Sequence, residues 1–193
     1  MGVAVSAAIL LSLTLPVLAP LFENITPPQQ PSSNEPPSFP DFVLPDATGG
    51  SVRLAQRANA HSAVLLVFHR GLDCVACQLQ LVEIQSGYEE LLAEGVEVLS
   101  IGIEGQFDTP MIATRMGLRF PILYDEAGTV ASMYGVHDQV TNDFATAILI
   151  LNSKLQLLTN PVGTNAGQVL PVEVIINAVR QAYGRAPTGA TAS

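Results

Sequence analysis

Apolar positions along this chain fall into distinct regimes. Val3 to Phe22 is a run of 20 residues without a charged side chain, long enough to cross a bilayer as a helix. Residues 23–40 are rich in Pro, Ser and Gln. Such a stretch cannot bury enough apolar surface to fold, and it reads as an extended linker. From Asp41 to about Gly184, short apolar runs alternate with helical spacings. Residues 185–193 are small and polar and read as a disordered tail.

The 41–184 region resolves into elements. Phe42–Leu44 and Ser51–Leu54 flank a turn at Gly49-Gly50 and predict a hairpin. Ala63–His69 is a continuous apolar run, the pattern of a strand buried on both faces. Leu81, Ile84, Tyr88 and Leu91 recur at spacings of three and four. They predict a helix over Cys77–Glu94, bent at Gly87 and ended by Gly95. Val96–Ile103 reads as a strand, Thr109–Met116 as a helix with Pro110 in its first turn, Phe120–Tyr124 as a strand and Glu126–Tyr134 as a helix. Ala145–Leu151 and Leu155–Leu158 read as strands around the turn Asn152-Ser153-Lys154. Pro171–Tyr183 closes the chain as a helix with Val172, Ile175, Ile176 and Val179 on one face. Strands alternating with helices predict an α/β sandwich around a mixed central sheet. A β-α-β half joined to a β-β-α half is the thioredoxin-like three-layer arrangement, here preceded by an N-terminal apolar helix.

Charge narrows the functional classes. The chain has 8 Lys+Arg against 17 Asp+Glu, a formal net charge of −9. That balance argues against nucleic acid as a partner and against polybasic attachment to anionic lipid. Membrane attachment therefore rests on the 3–22 run. No Lys or Arg precedes the run, and Pro20 follows its best small-residue cleavage site, Val17-Leu18-Ala19. The run reads as an uncleaved signal anchor over residues 1–22, with a cleaved signal peptide as the competing reading. The charge asymmetry around it favours an anchored or secreted domain on the extracytoplasmic side.

The only two cysteines sit three apart, Cys74-Val75-Ala76-Cys77, between the strand at Ala63–His69 and the helix after it. A thiol there meets helix N-terminal amides, which favour the reactive thiolate. With no other cysteine, the pair is redox-active, metal-binding or idle. Arg70 lowers the thiol pKa. Asp73 raises it by like-charge repulsion unless it turns away as the helix N-cap, the reading preferred here. His69, ending a buried strand, reads as a neutral core histidine. The expected outcome is a modestly reactive pair.

Five blocks carry a resemblance: PDFVLPDATGGSVRLAQ, FHRGLDCVACQLQL, VEVLSIGIEG, MGLRFPILYDEAGTVASMYGV and ATAILILNSKLQLL. In this order and spacing, over roughly residues 39–183, the chain resembles the peroxiredoxin-like branch of the thioredoxin superfamily. Within that branch it is similar to the alkyl hydroperoxide reductase/thiol-specific antioxidant group. The subgroup it is most similar to has F-x-R-G-x-W-C-P-x-C where Phe68–Cys77 stands here. Peroxiredoxin correspondence implies that Cys77 is the peroxidatic cysteine, that Cys74 stands at the motif threonine and that Arg70 stands at the motif proline. Thioredoxin correspondence implies the reverse, with Cys74 attacking and Cys77 resolving. The chain departs from both patterns. Asp73 stands where the subgroup has Trp, Val75-Ala76 contains no Pro, and Thr146 lies where peroxiredoxins have a peroxide-binding arginine and thioredoxins a cis-proline.

The resemblance implies a thiol peroxidase or thiol–disulfide oxidoreductase with catalytic Cys74, Cys77 and Arg70. It implies a peroxide or protein-disulfide substrate, an external thiol reductant such as a thioredoxin, and no cofactor. One alternative is a copper-binding module in which His137, in a loop, reaches the two thiolates. The other is a degenerate redoxin domain acting as an interaction module.

Overall fold

The computed structural model of the protein describes residues 36–102, 109–138, 143–144, 147–159, 162–163 and 169–185. The apolar run 3–22, the linker up to residue 35, Thr146 and the tail from residue 186 lie outside the described residues.

In chain order the elements are β1 (Val43–Pro45), β2 (Ser51–Arg53), α1 (Leu54–Ala60), β3 (Ala63–His69), α2 (Val75–Ser86), α3 (Tyr88–Ala93), β4 (Val96–Gly102), α4 (Thr109–Met116), β5 (Ile122–Tyr124), α5 (Thr129–Met133), β6 (His137–Asp138), β7 (Asp143–Phe144), β8 (Ala147–Asn152), β9 (Val162–Gly163) and α6 (Val172–Ala182). The central sheet has the order β5-β4-β3-β8-β9. Strands β3, β4 and β5 are parallel, whereas β8 runs antiparallel to both β3 and β9. The expected mixed sheet is thus present, with β3 at its centre.

That position explains the seven-residue apolar run. Every residue of β3 is buried, because alternate side chains serve two cores. Val64, Leu66 and Phe68 face one layer, with Phe42, Leu54 and Tyr134. Ala63, Leu65 and Val67 face the other, with Leu81, Ile84, Ile175 and Val179. Helices α2, α3 and α6 cover this second face, and the β1–β2 hairpin, α1 and α5 cover the first.

Several elements depart from the sequence reading. Helix α1 was not anticipated, because its own N-cap residue, Arg53, makes no side-chain cap. Instead Asp41 Oδ1 accepts the Ala55 N–H at 2.8 Å, and Asp41 Oδ2 binds Arg53 Nε at 2.7 Å. The expected long helix over Cys77–Glu94 starts at Val75 and is divided into α2 and α3 at Gly87. The expected strand Leu155–Leu158 is not a ladder strand; it meets β8 and the N-terminal segment through single bridges. Asn152 Oδ1 accepts the Lys154 and Gln156 N–H groups at 2.9 and 3.0 Å. The resulting turn holds Leu155 in the left-handed region, φ 60°, with its side chain in the core. The small β6–β7 ladder was also not anticipated.

Helix α6 is docked by α2. Its N-cap, Pro171, offers no side-chain acceptor, yet Glu83 Oε1 accepts the Val172 N–H at 3.0 Å. Gln80 brackets Leu170, donating to its carbonyl at 3.0 Å and accepting its N–H at 2.7 Å. Orphan amides at the helix start are thereby satisfied from another element.

Gly87 permits this approach. A Cβ there would lie 2.6 and 2.8 Å from the two Val172 methyls, on a stiff β-branched side chain that is itself buried. Gly87→Ala will therefore destabilise the fold by about 1–2 kcal/mol, the overpacking outweighing the gain in helix propensity. Urea unfolding of the two proteins measures it, and a more stable alanine variant would contradict the close-approach argument.

Candidate active site

Strand β3 delivers the chain to His69 at its carboxyl end. Arg70–Asp73 turn it, and α2 begins at Val75 with Cys74 as N-cap in extended conformation. The Gln78 side chain braces the turn by donating to the Leu72 carbonyl at 2.6 Å, and Leu72 is buried in the α2-side core. The expectation that Asp73 is the N-cap is corrected: the cap position falls one residue later. The Cys77 N–H donates to Cys74 Sγ at 3.3 Å, so an α2 amide points at that sulfur. Such a donor favours the charged thiolate over the neutral thiol.

Cys74 and Cys77 are joined as a disulfide, with Cα atoms 5.2 Å apart. Their environments differ sharply. Cys77 is 1% exposed and packed into the fold, whereas Cys74 is partly open to solvent. A reagent from solution therefore meets Cys74 first.

His69 lies beneath this turn, on the same face of β3 as Ala63, Leu65 and Val67. It is 2% exposed. Its Nε2 is 2.7 Å from Ser100 Oγ on β4. Burial lowers its pKa to about 4, the Gly71 backbone acting weakly in the opposite direction. Its Nδ1 is buried with no hydrogen-bond partner among the described residues. The neutral core histidine expected from the sequence is what the packing produces. Its partner Ser100 was missed, although a hydroxyl near the carboxyl end of the apolar strand VEVLSIG was a usable signal. The ring also lies against Gly102, its register partner, where a Cβ would come within 2.6 Å of Cε1.

The arginines divide cleanly. Arg53 pairs with Asp41, Arg57 with Glu97, Arg119 with Glu89, Arg180 with Glu90 and Glu94, and Arg185 with Glu94. Arg70 and Arg115 have no carboxylate partner among the described residues, and both are exposed. Arg115 lines an open cavity of about 450 Å³ with Leu72, Asp73, Gln78, Ile112 and Met116, beside the first turn of α2. Arg115 therefore borders the turn that carries Cys74. Arg119 does not; its guanidinium lies over the Tyr88 ring, 5.4 Å from the centroid. The side chain of His137 lies outside the described residues. Among the described residues, no group of three or more His, Cys, Asp or Glu side chains could hold a metal ion.

The model of the AhpC/TSA family matches residues 37–177, well over half of the chain. Thiol-disulfide oxidoreductase ResA of Geobacillus thermodenitrificans is 34% identical over 98 residues, which are 50% of this chain and 55% of that protein. The chain thus matches about half the length of the ResA proteins. The selenocysteine-containing peroxiredoxin PrxU of Peptoclostridium acidaminophilum is 27% identical, covering 65% of this chain and 69% of the relative. Among solved structures, peroxidoxin BcpB from Mycobacterium tuberculosis superposes with a TM-score of 0.66 at 18% identity, covering 77% of this chain and 96% of that one. AhpC of Enterococcus faecalis gives 0.67 at 18% identity, covering 77% and 92%. These structures share the fold.

Proposed function

Because this chain belongs to the AhpC/TSA family, we propose that it is a thiol-dependent oxidoreductase that cycles Cys74 and Cys77 between dithiol and disulfide. The observation that carries this reading is the asymmetry of the pair. Cys74 is solvent-accessible and receives an α2 amide, while its neighbour Cys77 is buried against it. This favours the thioredoxin-type order of events over the peroxiredoxin-type one.

In the reduced protein the Cys74 thiolate attacks a peroxide oxygen. The O–O bond breaks, an alcohol or water leaves, and Cys74 becomes a sulfenic acid. The Cys77 thiol then attacks the Cys74 sulfur, water leaves, and the Cys74–Cys77 disulfide forms. An external dithiol of the thioredoxin type restores the pair and is itself oxidised. With a protein disulfide as substrate, the Cys74 thiolate attacks sulfur instead, and Cys77 resolves the mixed disulfide. Arg70, exposed on the turn four residues before Cys74, is the cation assigned here to favour the thiolate.

The redox domain in this reading takes in residues 36–184, because Pro36, Phe39 and Pro40, read as linker in the sequence, hydrogen-bond to Gln156, Leu155 and Tyr134. The run at 3–22 holds it at a membrane, and the rest of the Pro-rich linker spaces it away on the extracytoplasmic side. The uncharged run and the charge asymmetry around it support this placement.

Stoichiometric hydrogen peroxide added to the reduced protein tests the cycle. Mass spectrometry will find the Cys74–Cys77 disulfide in the wild type and a sulfenic acid on Cys74 in Cys77→Ser. Unmodified thiols after exposure would overturn the peroxidase arm. Sulfenic acid at Cys77 in Cys74→Ser, with none at Cys74 in Cys77→Ser, would reverse the assignment.

A further inference from the structure

Helix α2 leaves the redox site with an apolar outer face. Val75, Leu79 and Val82 are 68%, 54% and 45% exposed, and their spacings of four and three put them on one side of the helix. The stripe starts at the residue after Cys74 and extends about 10 Å along the axis. Its opposite face, Cys77, Gln80, Leu81 and Ile84, is buried. The two arginines without a carboxylate partner among the described residues, Arg70 and Arg115, lie at the same end of the helix. Arg115 and Gln78 of α2 line one cavity. In a chain of net charge −9, an apolar stripe with two cations near its start, neither paired with a carboxylate among the described residues, is a local reversal of the surface. Asp73 shares the cavity, and it already interacts within the fold.

We propose that the outer face of α2, with Arg70 and Arg115, is the docking surface for a protein partner whose reactive cysteine lies in an apolar, acidic segment. The inference rests on the redox reading above and names the partner of that site. The stripe extends well beyond the reach of a small peroxide at Cys74. A second copy fits the charges poorly, since a two-fold contact through this patch would set Arg70 and Arg115 against themselves. The chain's own 3–22 run is uncharged and leaves both cations unmatched. An acidic segment with apolar side chains meets both features.

The exchange balances as follows. A thiolate of the partner attacks Sγ of Cys74, the Cys74–Cys77 bond breaks, and Cys77 leaves as a thiolate. A second partner cysteine then attacks the partner-side sulfur of the mixed disulfide and releases Cys74. The partner dithiol becomes a disulfide, and its two protons pass to Cys74 and Cys77.

The test uses the oxidised full chain and two synthetic peptides, each with one cysteine between leucines, one flanked by glutamates and the other by lysines. Stopped-flow rates of disulfide opening are normalised to the rate with dithiothreitol. The glutamate peptide should react roughly tenfold faster than the lysine peptide at low salt, with the ratio falling towards one in high salt. Arg115→Glu should remove or invert the preference, and Leu79→Ser should lower both normalised peptide rates by about threefold or more. Equal peptide rates in the wild type, or a preference untouched by Arg115→Glu, would overturn docking while leaving the redox reading intact. A disulfide resistant to dithiothreitol as well would overturn both. A dimer in sedimentation that Leu79→Ser dissociates would assign the face to a second copy and overturn the partner.

Discussion

Cys74→Ser will reduce turnover of peroxide and of disulfide substrates by about 10³-fold or more, the scale expected when a nucleophile is removed. The expectation follows from access. Cys77 is 1% exposed, and in the folded protein it meets a solution reagent only after local opening, whereas Cys74 is open at the helix start. Cys77→Ser should behave differently. Its Cys74 keeps the first attack but has lost its resolving partner, so a single equivalent of peroxide or disulfide is consumed and the product stays bound to Cys74. A burst of one equivalent followed by arrest is the kinetic signature, and mass spectrometry of the trapped adduct locates it. Full multiple turnover by either variant would show that the pair is not the redox centre. A Cys74→Ser protein that folds normally by circular dichroism separates loss of chemistry from loss of structure.

The second large effect is on stability. His69 takes up a proton at pH 6.5 when unfolded and only at about 4 in the buried site. Between those values the unfolded chain holds more protons than the folded one, so stability falls as pH drops. The His69 contribution is fully present above pH 6.5, is lost progressively towards pH 4, and changes no further below that. Its size is about 3 kcal/mol, from 1.4 kcal/mol per tenfold change in proton affinity. A lowered carboxylate behaves in the same direction but in a lower window. Glu94, held down by hydrogen bonds from Arg180 and Arg185, loses its contribution only as pH falls below its ordinary value of 4.5. The two windows can therefore be separated. Urea unfolding of wild type and His69→Gln from pH 7.5 to 4 measures the difference. The glutamine can keep a hydrogen bond to Ser100 but does not titrate, so the slope between pH 6.5 and 4.5 should largely vanish. An unchanged slope would place the acid sensitivity elsewhere.

A single structural cause lies behind both effects. The carboxyl end of β3 is buried on both faces, and the chain leaves it to start α2 at once. This burial keeps His69 neutral and encloses Cys77, while the helix start exposes Cys74. The Cys-x-x-Cys spacing gives the pair a close approach. The depth of each sulfur is set by which side of α2 faces the sheet.

The sequence alone determined the elements whose signals are local. The uninterrupted apolar run at Ala63–His69 marked the central strand, because burial on both faces leaves no polar position. The three-and-four spacing of Leu81, Ile84, Tyr88 and Leu91 marked the buried side of α2 and α3, and the alternation of strands and helices fixed the mixed sheet. The two cysteines between strand and helix marked the candidate site. The tertiary structure alone decided what depends on distant partners. Helix α1 takes its cap from Asp41, and α6 takes one from Glu83, 89 residues away in the chain, so neither start carries a cap in its own sequence. Gly87 is explained by Val172, and Leu155 leaves its expected strand because the Asn152 turn draws it into the core. The different exposures of Cys74 and Cys77, and the placing of Arg115 beside the first turn of α2, follow from how α2 and α4 pack on the sheet. The physical reason is common to all of these. Periodicity and turn chemistry are written along the chain, whereas capping, close approach and the exposure of one sulfur over another are set by contacts that exist only after the chain has folded.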